Sequence, residues 1–252
     1  MIIGIVSGKG GTGKTTVTTN LATVLAREGK RVLAVDGNIT TPNLAIHFGH
    51  TLPPKNTLIE VLNSSIQVRE AIYKLPSGVH LLPSSLSMFI SYPDPEVLAE
   101  KISEIRDEYD YVLIDGAAGI GREVISAIKA SDSVLLVSNP SMTSIIAGIK
   151  VVKVVKACDK PMFGIVLNKV RNRKYELKPE RVEELCENEV IASIPFDERM
   201  EESVANGNPL VSYYERSSGC RIFEKLASRL MGAEIKEEKT FWGRVINALK
   251  RR

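Results

Sequence analysis

A chain of 252 residues with 44% hydrophobic and 25% charged side chains has an ordinary globular composition and is long enough to bury a sizeable core. Its formal net charge of +3 is too small to argue by itself for nucleic acid as a partner. Cys158, Cys186 and Cys220 stand far apart with no C-x-x-C pair, against a zinc site or a disulfide framework and in keeping with a reducing cytosol. No apolar run approaches the roughly 18–20 residues that cross a bilayer, and Met1-Ile2-Ile3-Gly4 lacks the basic start of a secretory signal.

In chain order, short apolar runs at Ile2–Ser7, Arg31–Asp36, Val79–Leu82, Tyr111–Asp115, Ser133–Ser138, Phe163–Asn168 and Val190–Ile194 predict strands. Helical periodicity falls at Thr15–Glu28, Pro95–Glu108, Arg122–Ala130, Thr143–Ala157, Lys178–Glu187 and Ser217–Met231. This alternation predicts an α/β fold, a mostly parallel sheet with helices on both faces. Residues 1–232 read as one domain, 233–239 as a charged linker and 240–252 as a short amphipathic helix.

Between the first strand and the first helix lies Gly8-Lys9-Gly10-Gly11-Thr12-Gly13-Lys14-Thr15, which fits G-x-x-x-x-G-K-[ST] in the strand–loop–helix context that the motif requires. The glycines let backbone N–H groups curl around phosphate oxygens, and the helix presents its positive end to the same anion. Lys14 is expected to reach the β- and γ-phosphates, Thr15 to ligate Mg²⁺ and Thr16 to complete the phosphate site. Asp36 and Asp115 each follow an apolar strand beside this loop, where a Walker-B-type carboxylate sits, so both are expected near the metal, Asp36 through a water. Asn168 closes another strand. Its amide gives and accepts one hydrogen bond each, which suits an adenine edge but not guanine in the same pose, with a turn-forming asparagine as the competing reading.

The string SGKGGTGKTT resembles the deviant Walker A motif of the MinD/ParA family of P-loop ATPases, and the resemblance runs from Met1 to about Met231. It implies a P-loop NTPase fold and a homodimer that sandwiches two ATP molecules, with Lys9 contacting the nucleotide of the opposite subunit. It also implies that Asn168 reads adenine and that the loop holding Pro195 and Asp197 closes over the base. Relatives usually carry a second aspartate two residues after the first, positioning the attacking water; this chain has Asn38 there, either a tolerated exchange or the mark of slow hydrolysis. Ala117 stands where relatives commonly have proline, and Ser141 where they often have glutamate.

At the C-terminal end, Phe241, Trp242, Val245, Ile246 and Leu249 fall within a helical arc of roughly 160° together with Ala248. Five basic residues and no acidic one follow from Lys239 onward. Such a segment suits the surface of an anionic membrane, and it resembles the membrane-targeting helix of MinD; a last core helix or a helix for a protein partner are the competing readings. The expectation is therefore an ATPase, peripheral on the cytoplasmic membrane face in its ATP state, that positions cell-division or other machinery with an unidentified activating or cargo protein. A DNA-segregation ATPase of ParA type, using the basic stretch Lys169, Arg171, Arg173, Lys174 and Lys178, and a flagellum- or chemotaxis-array-positioning relative are the alternatives; DNA is the less expected partner.

Overall fold

The computed structural model describes residues 1–50, 54–85, 95–214 and 216–232. The N-terminal half runs β1 (Ile2–Ser7), α1 (Lys14–Arg27), β2 (Val32–Gly37), α2 (Leu44–His47), α3 (Leu58–Leu62), β3 (Tyr73–Lys74), β4 (His80–Leu82) and α4 (Pro95–Ser103). It continues with β5 (Tyr111–Ala118), α5 (Arg122–Ala130), β6 (Ser133–Ser138), α6 (Met142–Ala157), β7 (Met162–Val170), α7 (Pro179–Cys186), β8 (Val190–Pro195), α8 (Glu198–Ala205), α9 (Leu210–Tyr213) and α10 (Ser218–Leu230). The strands form one sheet in the order β3-β4-β2-β5-β1-β6-β7-β8, parallel throughout except for the β3–β4 pair at one edge. The expected α/β fold is therefore present.

The central strands are apolar because both faces are covered. Ile3 and Ile5 of β1 point into a cluster with Val17, Leu21 and Leu25 of α1 and Phe223 of α10. Ile2 joins the opposite cluster with Ile102 of α4 and Ala127 of α5, and Val6 packs among α5 and α6 residues such as Val124, Ile145 and Val151. Alternation along β1 thus feeds two layers, which a sheet solvated on one face would not need. Chain direction across the sheet reverses around β1, since β2 and β5 lie to one side and β6 to the other. The crevice beyond the carboxyl ends of these strands is where ligands of open α/β sheets bind.

Several boundaries differ from the sequence expectation for identifiable reasons. The strand expected to stop at Asp115 continues to Ala118, because Asp36 and Gly37 of β2 stay in register with Asp115 and Gly116. The helix expected to reach Glu108 stops at Ser103, and a separate 3-10 turn covers Arg106–Glu108 before Tyr109 enters the core. Asn168 does not end its strand: β7 runs on to Val170 past an irregularity, with Lys169 at φ 59°. The antiparallel edge strand is made by a tight turn, with Gly78 at φ 83°. Residues 233–252, and with them Phe241, Trp242, Val245, Ile246 and Leu249, lie outside the described residues.

Candidate nucleotide site

The loop between β1 and α1 is shaped by close approaches that only glycine permits. A Cβ at Gly8 would stand 2.2 Å from the Ala147 carbonyl carbon, so α6 passes directly against the loop. Gly13 has φ 91°, and a Cβ there would meet the Asn168 side-chain nitrogen at 2.1 Å. Asn168 is buried and donates from that nitrogen to the Thr12 carbonyl at 2.8 Å, while its oxygen accepts the Lys169 N–H at 2.9 Å. The asparagine expected beside the base thus also ties the phosphate loop to β7. One donor hydrogen and one lone pair remain for a further partner.

A cavity of about 670 Å³ opens over this loop. Gly10, Gly11, Gly13, Lys14, Thr15 and Thr16 border it at the loop, Asn168 borders it beside that loop, and Pro195 and Asp197 form a far wall at the β8–α8 junction. The structure therefore brings most of the sequence-expected site residues to one cavity. Lys14 and Thr15 are buried at the start of α1, and burial lowers the Lys14 pKa against the raising influence of Asp115. Gly8 and Thr12 shape the loop from below. Lys9 is exposed, with its carbonyl held by the Ser7 hydroxyl at 2.8 Å, and it is not among the cavity-lining residues.

The acidic groups sit beneath Thr15. The Thr15 hydroxyl lies 2.7 Å from an Asp115 oxygen and 3.0 Å from the Asn43 amide oxygen, and the Thr18 hydroxyl donates to Asp115 at 3.2 Å. Asp36 accepts three backbone N–H groups, from Asn38 at 3.2 Å, Asn43 at 3.1 Å and Leu44 at 3.0 Å. It thereby pins the loop that follows β2 and starts α2. Burial, then the neighbouring Asp115, pushes Asp36 up to about 8, and burial pushes Asp115 up to about 6. A cation set among these groups would favour their charged forms and reverse both shifts. Hydroxyl, carboxylate and amide oxygens are the hard donors that magnesium takes, with phosphate oxygens and water filling the remaining positions.

Asn38 lines the cavity, but its amide is engaged within its own loop. It donates to the Thr41 carbonyl at 2.7 Å and to the Thr41 hydroxyl at 3.0 Å. On the far wall Asp197 caps α8 and pairs with Arg199 at 2.6 Å, which holds its carboxyl below the usual range, and Arg171 stacks 3.7 Å from the Phe196 ring centre. Sequence reading missed Asn43, His47, Met200, Val204 and Glu123 as cavity residues. Most sit on α2 and α8, short elements whose apolar signal is too weak to announce them. Asn43 carried one signal: it precedes Leu44 where a helix cap is expected.

Comparison with known proteins gives a consistent picture. Residues 1–163 match the family model described as an AAA domain. An uncharacterised ATP-binding protein of Methanocaldococcus jannaschii is 38% identical over 236 residues, 93% of this chain and 89% of that protein. The crystal structure of the cell-division ATPase MinD of Pyrococcus furiosus superposes with a TM-score of 0.86 at 38% identity, covering 92% of this chain and 98% of that one. MinD of Pyrococcus horikoshii, solved with Mg-ADP, gives 0.85 at 35% identity, covering 91% and 95%. Mg²⁺ is accordingly the cofactor, taken with nucleotide as in the Mg-ADP complex of that relative. With its doubled-lysine phosphate loop, its parallel sheet and these relatives, the chain belongs to the MinD/ParA family of P-loop ATPases.

Proposed function

We propose that the chain is a MinD-like switch. ATP binding brings two copies together around two nucleotides, the paired C-terminal segments hold the dimer on an anionic membrane, and hydrolysis releases it. Its output is location, namely positioning of cell-division or other cellular machinery with an activating or cargo protein. In this reading Lys14, Thr15, Asp36 and Asp115 hold Mg·ATP, Asn168, Pro195 and Asp197 border the base, and Asn38, lacking a carboxylate, makes hydrolysis slow.

The observation that carries the reading is the placement of Lys9. A lysine within the phosphate loop that is exposed and stands apart from its own cavity is free to reach a nucleotide held by a second copy, as an arginine finger does in trans. Ile120, in the loop after β5, and Met142 and Ile146, at the start of α6 after β6, are each about half exposed on segments that follow the strands flanking β1, where a second copy would cover them. Two weakly binding tails on one dimer gain by avidity, so dimerisation becomes membrane attachment.

The test is sedimentation with a non-hydrolysable ATP analogue, Mg²⁺ and anionic liposomes. The unaltered chain is expected to dimerise and to pellet with the vesicles in the analogue, and much less in ADP. Lys9→Ala is expected to bind nucleotide as a monomer while losing both the dimer and the vesicles. A Lys9→Ala chain that still dimerises would refute the role in trans. A wild type that ignores vesicles but holds DNA in a strongly salt-dependent way would favour the DNA-segregation alternative.

A further inference from the structure

Hydrolysis needs a group that orients the attacking water and takes its proton, and the residue expected to do so in this fold is Asn38 here. An amide has no proton affinity to offer, and its NH2 is already given to Thr41. Among the described residues, the carboxylates that line the cavity are Glu123, Asp197 and Glu201. Asp197 is neutralised by Arg199 on α8, and Glu201 sits on the same helix beside Met200 and Val204, exposed to solvent. Asp36 and Asp115 are buried below the cavity and committed to backbone N–H groups and to threonine hydroxyls.

Glu123 is placed differently. It stands in the first turn of α5, half-buried, directly after the loop that leaves β5, and it borders the main cavity together with Asn38, Thr40, Ala117 and Ala118. It also borders a neighbouring cleft of about 300 Å³ that continues past Arg122. One of its oxygens accepts the Thr40 N–H at 2.9 Å and the Thr40 hydroxyl at 2.5 Å, two residues from Asn38. The loop after β2 and the loop after β5 are thus joined by a single carboxylate. An ionised carboxylate accepts up to about four hydrogen bonds, so it has capacity beyond the two from Thr40.

The geometry points to Glu123 as the water-activating carboxylate of this chain, standing in for the missing acid at Asn38. The inference rests on the cavity being an ATP site. In the step, the water oxygen forms a bond to the γ-phosphorus as the bond from that phosphorus to the β,γ-bridging oxygen breaks. The bonding electron pair leaves with ADP, and one water proton passes to Glu123 and from there to solvent. Thr40 holds the carboxylate at the margin of the cavity, so Thr40 is a positioning residue.

Glu123→Gln tests this cleanly, because the glutamine oxygen still accepts both bonds from Thr40 while losing basicity. ATP affinity and single-turnover hydrolysis with Mg²⁺ are measured for the wild type, E123Q, and E123Q combined with N38D. We expect E123Q to bind ATP within about two-fold of wild type and to hydrolyse it at least about 10-fold more slowly, the scale of a positioned acid–base group. Adding N38D is expected to restore much of the rate, which repair of a merely structural defect would not do. Wild-type turnover by E123Q would overturn the role, as would a parallel loss of ATP affinity or a wild type that binds ATP and turns none over. Failure of the unaltered chain to bind ATP at all would instead bring down the nucleotide-site reading and this inference with it.

Discussion

Lys14 opens α1, buried at the wall of the cavity, where desolvation lowers its pKa and the nearby Asp115 carboxylate opposes that shift. That cost is offset only when phosphate arrives, since a charge-assisted bond to an anion is roughly twice as strong as a neutral one. Lys14→Ala is therefore expected to leave the fold intact and to abolish ATP binding in a direct titration; near-normal affinity would refute the phosphate-loop assignment. At this scale the sequence was most informative about residues inside a spaced motif. Gly8 to Thr16 could be read without coordinates because the spacing itself encodes the backbone path. Asn168 is expected at the base from its place beside a strand end, but its bond to the Thr12 carbonyl has no sequence signal, since no local pattern links positions 156 residues apart. Glu123 was invisible for the same reason: a glutamate in the first turn of a helix ordinarily reads as a favourable partner for the helix dipole.

Among elements, the phosphate loop and β7 hold one another. Gly13 adopts a left-handed conformation, and the space its missing side chain leaves is filled by the Asn168 amide. Gly13→Ala would add left-handed strain, of order 1–3 kcal/mol, and push Asn168 off the Thr12 carbonyl. The expected outcome is a lower urea midpoint at unchanged slope together with weaker nucleotide binding. An unchanged midpoint would show that loop and strand yield without cost. Long periodic elements such as α5 and β6 were legible to the residue, because hydrophobic spacing alone specifies them. The short ones were not. α2 has four residues and exists because Asp36 receives the Asn43 and Leu44 N–H groups at its start. Its cause lies at the end of β2, and no periodicity within Leu44–His47 reports it.

In the whole molecule, the buried carboxylates carry an electrostatic cost that nucleotide and metal would relieve in the proposed reading, and this gives stability a pH dependence with a definite sign. Asp36 is raised to about 8 by burial and by Asp115, against an unfolded value of roughly 3.9. Between those values the folded chain holds a proton that the unfolded chain releases. The contribution to stability is thus complete at low pH and lost as pH rises through about 8. Burial depresses His47 to about 4, which works in the opposite direction, but only up to the ordinary imidazole value of roughly 6.5. Asp115, near 6, is also largely ionised above that point. From pH 6.5 to 8 Asp36 therefore dominates among these three, and one proton corresponds to at most about 1.4 kcal/mol per pH unit. For a chain of this size the nucleotide-free protein should lose a few degrees of Tm across that window. Mg·ADP should raise the Tm by mass action and flatten its pH dependence, since the cation removes the reason for Asp36 to hold a proton. Asp36→Asn should flatten the slope without nucleotide. Calorimetry at several pH values checks all three; a flat profile for the free wild-type chain would mean that the three backbone N–H bonds to Asp36 outweigh its burial and keep it ionised.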